Sequence, residues 1–159
     1  MIYLALKWLH LVGASVLFGT GLGIAFFAWF AYRKALAEGN LGLLQGVLSL
    51  TVTADTVFTA VAAVLQLITG LALFFMTGGK WDSAWLWWVL AVYAFVGVCW
   101  LPVVVLQIRL RDEALQAQTI GGLRSLFHRR FVAWFVLGWP AFAGVMVLFA
   151  LMLARGYFA

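Results

Sequence analysis

The sequence predicts an all-α integral membrane protein, a bundle of four transmembrane helices that forms one domain over residues 1–159 with both termini outside. Three observations predict it. First, 67% of the 159 residues are hydrophobic and only 9% are charged, whereas a soluble domain devotes about a quarter of its residues to charge. With a mean hydropathy of +1.10, the chain has too few polar residues to cover itself in water, and lipid is its natural solvent. Second, the apolar residues fall into four stretches, at 2–32, 50–76, 83–108 and 131–153. Each is long enough to cross a hydrocarbon core as a helix, which takes about 20 residues. Third, the basic residues gather at alternate ends of these stretches.

The first stretch is too long for a signal-peptide core and lacks a well-placed small-residue cleavage site, so it is expected to remain as a span. Gly19 and Gly23, with Ser15 and Gly21, give it a small-residue face predicted to meet another helix. A short polar connection, Ala35-Leu-Ala-Glu-Gly-Asn40, leads to the second span. The turn Thr77-Gly-Gly-Lys80, with two glycines, leads to the third. Residues 109–130 form the one substantial loop, in which Arg111–Gln118 extends the third helix into water until Gly121-Gly122 breaks it. Pro102 and Pro140 are candidate kinks in the third and fourth helices.

Orientation follows from charge. The connections at 33–49 and 109–130 hold Arg33, Lys34, Arg109, Arg111, Arg124, Arg129 and Arg130, while the opposite side holds only Lys7, Lys80 and Arg155. Seven against three places the two longer connections in the cytoplasm and both termini outside, which is the periplasm in a Gram-negative host.

Composition also limits function. The net charge of +5 does not point to nucleic acid, because the basic residues sit at span ends and not along one exposed face. The single cysteine, Cys99, offers no disulfide and no paired thiol site. The lipid bilayer is the expected partner. The cluster of Arg124, Arg129 and Arg130 is suited to anionic lipid or to a soluble protein.

Ionisable groups inside a span are costly and call for a role. His10 lies about 10 Å into the first helix at ~1.5 Å per residue. Its imidazole could ligate a metal or haem iron, carry protons, or hydrogen-bond to a neighbouring helix. Lys7 is one turn nearer the outer end and could pair with a haem propionate or act as a snorkelling anchor. Running the other helices to the same level brings up Gln66 and Met146. Met146 is the better soft axial ligand, and Gln66 is suited to fixing the tautomer of His10. His128, near the opposite face, is expected at headgroup level. Asp55, one to two turns into the second helix, is expected to face protein and to pair with Arg109 or Arg111 as a structural clasp, with a proton relay as the alternative.

Several runs carry a family resemblance: Lys7-Trp8-Leu9-His10-Leu11-Val12-Gly13, Leu17-Phe18-Gly19-Thr20-Gly21, Cys99-Trp100-Leu101-Pro102 and Gln107-Ile108-Arg109. Over essentially its whole length the chain resembles a bacterial family of predicted integral membrane proteins of unknown function. That family is similar in turn to the CopD-type copper-resistance proteins and the HemJ-type membrane proteins. The pattern Lys-x-Leu-His-x-x-Gly resembles the first helix of the HemJ type and implies haem b held through His10. The HemJ type also relies on a lysine in a later helix. The third helix here has none, so the resemblance extends to haem binding and not to protoporphyrinogen oxidation.

The expected function is therefore a b-type haem protein of the bacterial inner membrane with a redox or electron-transfer role. Its partners would be a membrane redox protein or a quinone, and a homo-oligomer is allowed. The alternatives are a non-catalytic membrane subunit or assembly factor, and a copper or small-solute transporter.

Overall fold

The computed structural model describes residues 1–123 and 125–158, without the side chains of Tyr157 and Phe158. Arg124, counted above among the cytoplasmic basic residues, lies outside the described residues. These residues include four helices long and apolar enough to cross a membrane. The first is α1 (Ile2–Glu38). The second consists of α2 (Leu41–Ala54), a wide π-helical turn (Asp55–Ala60) and α3 (Val61–Met76). The third is α4 (Ala84–Gln116) and the fourth is α5 (Ser125–Leu153), which ends in a tight 3-10 turn (Ala154–Phe158). The helices of α4 and α5 continue through Pro102 and Pro140.

The helices overrun the apolar stretches. At ~1.5 Å per residue α1 is about 55 Å long, against about 30 Å of hydrocarbon. Hydropathy places a connection at 33–49, but the break is confined to Gly39 and Asn40. The reason is packing: Ala28, Tyr32 and Ala35 recur at helical spacing into the core, and Leu44 and Leu48 answer from α2. The break itself is built from local chemistry. Gly39 takes a left-handed φ of 65° and returns its N–H toward the end of α1. Asn40 then accepts the Leu43 N–H at 3.0 Å and caps α2.

The chain runs up and down. Helix α1 packs on both halves of the second span, α2 on α4, and α4 on α5, while contact between α3 and α4 is sparse. The main buried core lies toward the long-loop end, where Ala35, Leu44, Leu48, Leu110, Phe127 and Phe131 meet. A smaller cluster of Phe74, Trp85 and Leu86 closes the end that carries the termini. There the Arg155 guanidinium lies 5.3 Å from the Phe74 ring and 5.2 Å from that of Trp85, and it donates to Thr77 Oγ1 at 2.7 Å. Trp85 donates to the Leu151 carbonyl at 2.8 Å, so this end ties three spans together.

The expected small-residue face of α1 takes no part in this packing. A Cβ at Gly19, Gly21 or Gly23 would meet nothing within 4 Å. The close helix approaches occur instead at Gly13, Gly70 and Gly144. Phenylalanines 26, 27 and 30 are exposed, as are leucines on all four spans and tryptophans on the first, third and fourth. This apolar exterior is the surface that faces lipid.

Candidate functional site: a polar clasp around His10

The site lies where α1 crosses α3, and small residues make the crossing possible. A Cβ at Gly13 would fall 2.5 Å from Gln66 Nε2. Because that atom is missing, Gln66 can reach across and donate to the His10 carbonyl at 2.7 Å. Gly70 has the same role on the other helix, since a Cβ there would sit 3.2 Å from His10 Cε1. The imidazole of His10 is half-buried between the two helices.

The ring's hydrogen bond goes to a residue that the sequence did not single out. His10 Nδ1 lies 2.8 Å from Thr69 Oγ1, and Thr69 is buried. The Thr69 hydroxyl also lies 2.6 Å from the Leu65 carbonyl, four residues back on α3. A carbonyl only accepts, and a hydroxyl has one proton. Thr69 therefore donates to Leu65 and accepts from Nδ1–H. In this tautomer His10 Nε2 carries a lone pair, and no side chain among the described residues is hydrogen-bonded to it.

The other candidates fall into place around this clasp. Gln66 is level with His10, as expected, but binds its backbone and not its ring. Lys7 is exposed one turn outward on α1. Met146 is 44% exposed on α5. Phe18 of α1 packs against Phe142 at 5.2 Å and Phe149 at 5.8 Å, which sets the level of Met146 beside Phe18. Phe18 is eight residues beyond His10, about 12 Å along the helix, so the fold does not bring Met146 to the imidazole. His128 shares a 2.8 Å hydrogen bond with Tyr32, whose ring stacks on Phe131 at 3.8 Å. Tyr32 is some 33 Å along α1 from His10, and the two histidines occupy opposite ends of the bundle.

Asp55 is buried, but its partners are not the arginines. Gln107 Nε2 donates to Oδ2 at 2.6 Å, and Trp100 Nε1 makes a longer contact of 3.4 Å to Oδ1. Trp134 Nε1 in turn donates to Gln107 Oε1 at 3.3 Å. Helical phase explains the correction. Gln107, Leu110 and Ala114 share the buried face of α4. Arg109 and Arg111 are turned off that face, Arg109 being exposed and Arg111 pairing with its neighbour Asp112 at 2.7 Å.

The described residues include no group of three or more His, Cys, Asp or Glu that could hold a metal ion. What the site offers is a single oriented imidazole. The signals that could have found Thr69 and Gly70 are their spacing from Gln66, three and four residues on, which puts all three on one face of α3.

The family model for a predicted integral membrane protein, DUF2269, matches residues 4–156. The chain belongs to this family. The match covers all four membrane-length helices, and this DUF2269 protein is a multi-pass integral membrane protein whose surface contacts lipid. Comparison with curated proteins and with solved structures finds no match.

Proposed function

We propose that this DUF2269 protein is a membrane b-type haem protein with an electron-transfer role, and that His10 would hold the haem iron through Nε2. The observation that carries the reading is the tautomer fixed by Thr69, which leaves a lone pair on Nε2 inside an apolar bundle. Ligating histidines generally donate their other ring N–H to an oxygen, which orients the ring and raises its basicity. Haem, when bound, supplies a one-electron iron couple. The residues of the chain do the rest. Thr69 holds the ring plane, Gly70 keeps the space beside Cε1 free of a side chain, and Gln66 locks the backbone of His10. Lys7, one turn outward, offers an ammonium group to a propionate. The first-helix pattern shared with the HemJ type supports the same reading. The redox partner would be a quinone or another protein of the bacterial inner membrane.

The test is a visible spectrum of protein purified in mild detergent from haem-supplied cells, recorded before and after dithionite. Reduced α and β bands that vanish in His10→Ala are expected. Thr69→Val is expected to keep the bands but weaken haem affinity by about 10–100-fold, the usual effect of removing such a partner. A featureless spectrum from well-folded protein would overturn the proposal.

One observation favours a second reading. The open stripe of Ser15, Gly19 and Gly23 is suited to a helix of another membrane protein. In that case the chain is a non-catalytic subunit or assembly factor, and His10, Thr69 and Gln66 only join α1 to α3. A stable co-purifying partner, retained in His10→Ala, would select this reading over the first.

A further inference from the structure

A second polar site lies in the middle of the bundle, apart from His10. Its centre is Asp55, 6% exposed, at the start of the π-helical turn of the second span. Single π-turns inside α-helices recur at functional sites, and an ionisable residue within a span calls for a role. The surroundings are unusually free of charge. Helix α1 carries no ionisable side chain between His10 and Tyr32, and α2, α3 and the spanning part of α5 (131–153) carry none. On α4 the titratable residues are Tyr93, whose hydroxyl donates to the Ala63 carbonyl, Cys99, Arg109, Arg111, Asp112 and Glu113; Arg109 is exposed, Arg111 pairs with Asp112, and Glu113 pairs with Arg130. Among the described residues no Lys, Arg or His pairs with Asp55, and its donors Gln107 and Trp100 are neutral. A buried carboxylate whose charge has no partner is costly, so the compensating positive charge must come from outside these side chains.

A second observation says where that charge fits. Thr59, 8% exposed and one turn beyond Asp55 on the same buried face, makes no hydrogen bond of full geometry among the described residues, and its hydroxyl approaches the Asp55 carboxyl. Thr53, Thr56, Thr69 and Thr77 each donate to the carbonyl four residues back. Thr59 does not, and it alone of the five lies within the last part of the π-turn, where the helix is wider. The result is a loosely held hydroxyl beside a carboxyl whose Oδ1 has a 3.4 Å contact from Trp100.

We infer that Asp55 and Thr59 form a binding site for an exchangeable proton inside the membrane. Uptake forms one O–H bond on Asp55 Oδ1. Release breaks it and returns the proton to water through the Thr59 hydroxyl, which accepts that proton as it donates its own. A metal cation is a poorer fit. Gln107 turns its N–H toward Asp55 and its oxygen toward Trp134. This leaves two carboxyl oxygens and one hydroxyl, short of the six or more oxygens that hard divalent cations take.

The test uses the full chain in lipid nanodiscs with aspartate labelled by 13C at the side-chain carboxyl. The sequence has three aspartates, Asp55, Asp82 and Asp112, so the signals are few. One signal is expected to have the shift of a protonated carboxyl, to show a deuterium isotope shift in D2O, and to be lost in Asp55→Asn. In Thr59→Val, which keeps the shape, that signal should persist while its exchange with solvent slows about tenfold, the scale of one lost hydrogen bond. If Asp55→Asn does not fold, the signal that moves in Thr59→Val identifies Asp55. Three carboxylate signals throughout the neutral range would overturn the inference. So would a signal displaced by added NaCl or KCl at fixed pH, which would make the ligand a metal cation.

Discussion

At the scale of single residues, the clasp depends on one missing methyl group. Gly13→Ala would put a Cβ 2.5 Å from Gln66 Nε2. The amide would swing aside and the bond to the His10 carbonyl would be lost, a cost of about 1 kcal/mol. The same substitution in a Gln66→Ala background should cost only a few tenths of a kcal/mol, because the bond is already gone. A double-mutant cycle by unfolding in detergent would measure this coupling; additive effects would mean that Gly13 acts through something other than Gln66. His10, Gln66 and Asp55 were legible in the sequence because a polar side chain stands out in an apolar run. Their partners were less so. Thr69 looks like any threonine in a membrane helix until its position relative to His10 is known. The Asp55–arginine pair failed because matching depth is not matching face: Gln107 is two residues from Arg109 but about 200° around α4.

At the scale of helices, the number and order of the spans were legible because about 20 apolar residues have few other uses. Their ends were not. Hydropathy registers polar residues at 33–49, but it does not register that Ala35, Leu44 and Leu48 keep a buried face through that stretch. Nor could it anticipate the π-turn, which depends on packing that no local pattern encodes. Helix pairing was legible only in kind. Glycine does mark the close approaches, but the glycines that matter are Gly13, Gly70 and Gly144 and not the conspicuous Gly19–Gly23 stripe. A Cβ at Gly144 would lie 2.5 Å from Val96 Cγ2 across the α4–α5 contact. Valine is stiff at χ1 in a helix, so Gly144→Ala should force these helices apart at about 1–3 kcal/mol. Gly138 is on the same helix and a Cβ there meets nothing, so Gly138→Ala should be neutral or slightly stabilising. Thermal unfolding in one detergent would compare the pair, and equal losses would contradict the α4–α5 packing.

At the scale of the whole molecule, the two ends differ in charge and in construction, and this bears on orientation. The long-loop end holds Arg33, Lys34, Arg109, Arg111, Arg129 and Arg130, along with the main buried core. Three of these cations are paired with acids there: Lys34 with Glu38, Arg111 with Asp112, and Arg130 with Glu113. Such pairing does little to topology, because orientation follows the count of Lys and Arg near span ends and not net charge. The other end holds Lys7, Lys80 and Arg155, the last turned inward onto Phe74 and Trp85. The positive-inside rule therefore predicts that both termini, and with them the end nearer His10, face away from the cytoplasm. A reporter active only outside the cytoplasm, fused after Ala159, should be active, and a fluorescent protein that matures only in the cytoplasm should be dark there. The same pair inserted at Gly39–Asn40 should give the opposite readings. A reversed pattern would put His10 nearer the cytoplasmic face, and the electron donor that the proposed function requires would then have to be sought on that side of the membrane.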